Sequence, residues 1–201
     1  MITDIKELAE ISYWTRVYCE EKRGAYFSDR NFEMITKRYC KMLQIQKDTY
    51  KGKVIMDVGC GPRGTLHNFE AKTKYGVEPL AKAYDYLFKM GGKQDMIYLA
   101  SGCEEIPLLD KTVDVILSVN SLDHVDNLEQ TLDELWRILK PGGEIRFNLN
   151  LQPEARVTEP HAFTEKEILT KLKKFKPVVM KKFPIEDAVP FERILVIGGK
   201  N

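Results

Sequence analysis

The 201-residue chain has four cysteines, two tryptophans and three histidines. Cys19, Cys40, Cys60 and Cys103 are far apart, with no CxxC pair and no Cys/His ligand spacing. That excludes a disulfide framework and a zinc ribbon. Charge of one sign is also lacking: 31 Lys and Arg stand against 30 Asp and Glu, a net +1, which gives no basis for electrostatic capture of nucleic acid or anionic membrane. The Lys-rich stretch at Lys171, Lys173, Lys174, Lys176, Lys181 and Lys182 reads as a solvated face. No apolar run approaches a membrane span, and Asp4 and Glu7 stand where a signal peptide would be basic and then apolar. The expectation is a soluble, cytoplasmic protein with a small-molecule partner, without nucleic acid, membrane or metal. Repeats, low-complexity tracts and linkers are absent too, while 43% hydrophobic residues suffice for one core.

The patterning that is present divides that single domain, 1–201, into three parts. Residues 1–50 hold two amphipathic stretches that read as helices, the first with Leu8, Ile11, Trp14 and Tyr18 on its apolar face and the second with Phe32, Ile35, Tyr39 and Met42. A turn at 23–29 separates them, with Ser28 or Asp29 placed to cap the second helix. Over 51–150, strands VIMDV (54–58), KYGVE (74–78), MIYLA (96–100), VDVILSV (113–119) and EIRFNLN (144–150) alternate with helical segments. These are a short helix after the first strand, one from Leu80 to Met90 stopped by Gly91-Gly92, and one carrying Leu128, Leu132, Leu135 and Leu139, broken by Lys140-Pro141-Gly142-Gly143. Such alternation means βαβ units and a parallel sheet. In 151–201, Thr164 and Glu167 have capping-box spacing, with Phe163 and Ile168 as a hydrophobic staple, for a helix to about Phe175. Two last strands, 178–183 and 193–197, should pair as an antiparallel edge.

The chemistry concentrates in VIMDVGCGPRG, where a buried strand runs into Gly59, Gly61 and Gly64. Glycines there permit a tight turn and close backbone approach, so the loop suits a nucleotide-like cofactor. The spacing also fits a dinucleotide fingerprint, with Glu78 at the next strand end to hold an adenosine ribose, and an NAD-dependent oxidoreductase is the rival. Against it, Asp57 sets a carboxylate directly before the glycines, where it suits an ammonium better than a pyrophosphate, and no second mononucleotide-binding half is evident.

Four segments in order, VIMDVGCGPRG, YGVEP, SGCEEIP with KTVDVILSVNSLDHV, and LDELWRILKPGGEIRFN, resemble the class I S-adenosylmethionine-dependent methyltransferases of the small-molecule, type 11-like kind. GPRGTL, EPL and NSLDHV further resemble methyltransferases encoded with surface-polysaccharide genes. The resemblance implies a Rossmann-like α/β fold, a mostly parallel seven-stranded sheet with an antiparallel edge strand and helices on both faces. It implies S-adenosylmethionine as cofactor. Gly59, Cys60 and Gly61 would lie against its methionine part, Asp57 toward its ammonium directly or through water, and Glu78, followed by Pro79, on the ribose hydroxyls. Asn120 would contact the methionine end. Gly102 stands where many relatives place an adenine-binding Asp, so Gly102, Cys103 and Glu104 would serve the adenine.

Methyl transfer needs an aligned nucleophile and help for a departing proton. His124, just past the fourth strand, is the candidate base, or else packs beside the cofactor or caps the next helix. His161, after the fifth strand, borders the acceptor side or introduces the last helix, while His67 reads as structural. Tyr13, Trp14, Tyr18, Tyr26 and Phe27 would form a lid over the site or belong to the core. In this scheme 1–50 is a helical lid, 51–150 the cofactor-binding core, and 151–201 the acceptor-side loop, helix and edge strands. The expected function is methyl transfer to O or N of a small polar acceptor, with a sugar or sugar-linked metabolite implied by resemblance. A non-catalytic cofactor-binding module of the same fold is a third reading.

Overall fold

A computed structural model describes residues 4–20, 29–88, 95–184 and 191–201, with no side-chain placement for 29–32. The turn at 23–29 with its capping pair, the Gly91-Gly92 stop, and Tyr26 and Phe27 therefore lie outside the described residues or side chains.

Strands β1 (Val54–Val58), β2 (Thr73–Val77), β3 (Ile97–Leu99), β4 (Val113–Val119), β5 (Leu139–Leu151), β6 (Val178–Phe183) and β7 (Glu192–Lys200) form one sheet in the order β3-β2-β1-β4-β5-β7-β6. The first five are parallel, and β7 runs antiparallel between β5 and β6, so the last two strands make the antiparallel edge pair. The central strands are continuously apolar because both faces are covered. On one face, helix α4 (Leu128–Ile138) buries Leu128, Leu132, Leu135 and Ile138 with Met56, Ile116, Ile145 and Phe147. On the other, helix α2 (Asp29–Leu43) buries Tyr39 and Leu43 with Ile55, Val115 and Leu117. Helices α1 (Ile5–Cys19), α3 (Ala81–Phe88) and α5 (Glu165–Lys171) complete the set. α5 carries the expected capping box between Thr164 and Glu167, and Phe163 and Ile168 are buried together.

Three expectations need correction. The helix after the glycine loop is only a 3-10 turn, Gly61–Arg63, because Pro62 opens it and Gly64, at φ +57°, cannot continue it. His67 is accordingly on a turn, between Asp95 Oδ1 at 2.7 Å and the Tyr98 hydroxyl at 2.8 Å. At Lys140 to Gly143 the chain does not leave the sheet: Val113 pairs with Leu139 and Val115 with Glu144, so these residues bulge from a strand that has already begun. The expected lid of 1–50 also divides. α2 is a layer of the core, with Tyr39 and Leu43 buried on the sheet, while α1 places Trp14 at the loop that follows β1.

Candidate functional site

β1 ends in a loop fixed to its neighbours on both sides. The Gly59 and Cys60 amides both donate to the Val77 carbonyl, at 2.9 and 3.2 Å, which ties the loop to the end of β2. Ser121 donates to the Val58 carbonyl at 2.6 Å and lies so close that a Cβ on Gly59 would sit 2.4 Å from its own Cβ. Gly59 and Gly61, at φ +65° and +60°, adopt the left-handed turn that glycine permits. Cys60 is buried, with Sγ directed at Gly76, so its backbone rather than its thiol faces the loop opening.

Glu78 follows β2 directly. Its Oε2 accepts from the Gly61 amide at 3.0 Å and its Oε1 from the Leu80 amide at 3.1 Å. Burial pushes its carboxyl up to about 7, against the pull of those two amides. Each oxygen keeps a further lone pair, which suits a vicinal diol. Pro79 is exposed beside it.

Asp57 occupies a different place from the one its position in the sequence suggests. It is 1% exposed beneath the loop, with Tyr39 donating to one oxygen and Thr65 to the other. Burial pushes its carboxyl up to about 7 as well, although both hydroxyls act the other way. Held in this way, Asp57 supports the loop from below. Glu104 is also engaged elsewhere. Its Oε1 accepts from the Asp126 and Asn127 amides at 2.9 and 3.0 Å, just ahead of α4, where a carboxylate complements the helix end. Its Oε2 lies over Gly102, 2.7 Å from where a Cβ would stand. Cys103 is buried in the core cluster, which pushes its thiol up.

After β4, Asn120 turns at φ +54° and its Oδ1 accepts from the side chain of Asn150. His124 follows, and it does not cap α4, since Asn127 does. Its Nδ1 is 3.0 Å from Glu10 Oε1, on α1, while its Nε2 lies 3.9 Å from both Asp123 Oδ1 and Glu159 Oε1. Burial pulls this imidazole down, but the three carboxylates more than offset it and its pKa stands above the ordinary value. Asp123 Oδ2 and Glu159 Oε2 are buried without a hydrogen-bond partner, as is His161 Nε2. The His161 amide donates to the Asp123 carbonyl at 3.3 Å and its ring stacks on Phe163, which draws the stretch after β5 beside that after β4.

α1 spans both halves of the site. Trp14 stands 3.6 Å from where a Cβ on Gly61 would be, and packs with Ile11 against Leu80, Tyr84 and Phe88. Lys6 pairs with Asp126. Glu10 was not a sequence candidate; its partner is 114 residues away, and no local pattern signals such a contact.

Residues 56–147 match the family described as methyltransferase domain. The chain is 30% identical over 150 residues to a tRNA U34 carboxymethyltransferase of Desulfotalea psychrophila, covering 70% of this chain and 47% of that protein. It is 29% identical over 110 residues to a ubiquinone biosynthesis O-methyltransferase of Coxiella burnetii, covering 51% and 46%. The chain thus spans about half the length of these curated relatives. Among solved structures it resembles the YcgJ protein of Bacillus subtilis, with a TM-score of 0.65 at 13% identity over 84% of this chain and 99% of that one. A SAM-dependent methyltransferase of Aquifex aeolicus gives 0.59 at 19%, covering 92% and 97%. The cyclase SpnF gives 0.58 at 14%, covering 84% and 81%. At these identities the likeness is one of fold.

Proposed function

We propose that this chain, whose core is a class I S-adenosylmethionine-dependent methyltransferase domain, transfers the cofactor's methyl group to O or N of a small polar acceptor. A sugar or sugar-linked metabolite is the acceptor class implied by the resemblance of GPRGTL, EPL and NSLDHV to methyltransferases encoded with surface-polysaccharide genes. The observation that carries this reading is that a single helix covers both halves of one site: on α1, Trp14 lies against Gly61 of the glycine loop and Glu10 against His124.

S-adenosylmethionine supplies a sulfonium methyl. Gly59 and Gly61 let its methionine part approach the backbone, Glu78 holds the ribose diol with the second lone pairs of its two oxygens, and Asn120, braced by Asn150, meets the methionine end. Gly102 and Cys103 line the adenine side. On the acceptor side, the oxygens of Asp123 and Glu159 that lack a hydrogen bond ask for donors, which hydroxyl and amino groups supply and a purely apolar acceptor does not. His124 takes the acceptor's proton and His161 borders the same space. Most of the rate comes from alignment, with the base adding on the order of a hundredfold.

Calorimetric titration with S-adenosylmethionine, S-adenosylhomocysteine and NAD tests the cofactor half: the first two should bind and NAD should not. A screen of hydroxyl and amino acceptors with a labelled methyl group tests the transfer. Cofactor binding with no labelled product across the screen would favour a non-catalytic module.

A further inference from the structure

Lys6, Glu10 and Trp14 recur every four residues on α1, so they share one face of the helix. Each meets a different part of the site: Asp126 ahead of α4, His124 after β4, and Gly61 of the glycine loop. The middle contact has a chemical consequence. Nδ1 of His124 lies 3.0 Å from a carboxylate oxygen of Glu10, a distance at which a neutral imidazole keeps its proton on Nδ1 and donates it. Nε2 then carries the lone pair and faces the space between Asp123 and Glu159, 3.9 Å from an oxygen of each. No hydrogen bond shorter than that competes for Nε2 among the described residues.

We infer that Glu10 is the positioning residue of the catalytic histidine: it fixes the tautomer and ring orientation of His124, so that docking of α1 completes the base. This rests on the reading of His124 as proton acceptor. In the step itself, the acceptor's oxygen or nitrogen forms a bond to the methyl carbon as the carbon–sulfur bond of the sulfonium breaks. The proton leaving the acceptor passes to Nε2, and the resulting imidazolium, still donating from Nδ1, is stabilised by the Glu10 carboxylate. S-adenosylmethionine, when bound, would supply the methyl group and would depart as the neutral thioether. Besides Glu10, the groups that face the imidazole are Asp123 on its own loop and Glu159 from the stretch after β5, with Glu78 at the end of β2 acting at longer range. Asp123 and Glu159 act on Nε2 and are common to the parent and to any Glu10 variant, so they do not mask the contribution of Glu10.

The experiment is a long-range proton–nitrogen NMR titration of the histidine rings in the intact chain. Only three rings exist, and single replacements of His67 and His161 assign them. In the parent, the neutral His124 ring should show the Nδ1–H tautomer. Glu10→Gln, which still accepts a hydrogen bond but carries no charge, should keep that tautomer and lower the titration midpoint by roughly one pH unit, the scale for losing an adjacent opposite charge. Glu10→Ala should lower the midpoint and also lose the tautomer preference. A parent ring protonated on Nε2 when neutral, or a midpoint and tautomer unmoved in both variants, overturns the positioning role. Should Glu10→Ala unfold the chain, Glu10→Gln alone still decides through its midpoint. The test needs no acceptor, so its failure is separable from that of the base reading, which fails if His124→Asn retains full turnover.

Discussion

Glu78→Gln isolates the charge at the proposed cofactor site with little change of shape. The parent side chain is 7% exposed, and its two oxygens accept from the Gly61 amide at 3.0 Å and the Leu80 amide at 3.1 Å. The amide keeps one acceptor oxygen and turns an NH2 toward whatever faced the other, so at least one charge-assisted bond to the ribose is lost. At about 1.5–3 kcal/mol for such a bond and about 1.4 kcal/mol per tenfold, affinity for S-adenosylhomocysteine should fall roughly ten- to a hundredfold. The pH dependence adds a second signature. Because burial pushes the carboxyl up to about 7, and the diol needs the ionised form, parent affinity should rise from pH 6 to pH 8 while the variant's stays flat. Stability without cofactor runs the opposite way. A carboxyl with a raised folded-state pKa favours the fold below its unfolded value near 4.5, and that contribution is lost as pH rises through about 7. Asp57, also pushed up to about 7, contributes over the same window, so Glu78→Gln should reduce the slope of melting temperature against pH without abolishing it. Isothermal calorimetry at pH 6, 7 and 8 measures the affinities. Parent-like affinity in a folded variant, with the pH dependence intact, would remove Glu78 from the site.

Gly61→Val should abolish cofactor binding in calorimetry, because φ is +60° there and the branched side chain would enter the space between the loop and Trp14, whose ring is 3.6 Å from the new Cβ. Retained affinity would mean that the loop is not the cofactor loop. Tyr39→Phe should destabilise the fold by about 1–3 kcal/mol, since it strips a buried Asp57 oxygen of its donor, and by more at pH 8 than at pH 6, where Asp57 is protonated. Urea melts at the two pH values check the sign. His124→Asn should leave S-adenosylhomocysteine affinity near the parent's and lower turnover about a hundredfold, and it should abolish the rise of rate with pH through the raised pKa of the histidine.

What the sequence made legible is what short-range periodicity encodes. VIMDV is a central strand because five successive apolar or partnered residues can be buried only between two layers, and Thr164 with Glu167 specify a helix start by a contact three residues long. The glycine loop was legible for the same reason, since its positive φ values follow from the residues themselves. The extent of the next helix was not, because Gly64 is needed for the approach of the Tyr98 hydroxyl, which would lie 2.1 Å from a Cβ, and that neighbour comes from β3. Asp57 and Glu104 were each assigned to the cofactor from their order in the chain. Their partners Tyr39, Asp126 and Asn127 belong to elements whose placement depends on tertiary packing. Glu10 is the extreme case, reaching His124 across 114 residues.

The same division explains why the cofactor is easier to read than the acceptor. The ends of β1 and β2, two adjacent parallel strands, carry the glycine loop and Glu78, so their relation is fixed by the fold. The proposed acceptor side is assembled from α1, the loop after β4 and the stretch after β5, three segments with no pairing register in common. Folds of this kind can therefore keep the first arrangement and vary the second, and the resemblance to the cyclase SpnF is a reminder that the sheet alone selects no reaction. In this chain the varied part has a definite character. Glu10, Asp123 and Glu159 surround a single imidazole, and Arg156 pairs with Glu159 at 3.7 Å from its Oε2. Even with His124 protonated and Arg156 counted, three carboxylates face two positive charges, so a carboxylate or phosphate on the acceptor would meet repulsion in a partly buried space. Hydroxyl and amino groups would instead supply the donors that the buried oxygens of Asp123 and Glu159 lack, which is the electrostatic argument behind the neutral or amino-bearing polar acceptor proposed above.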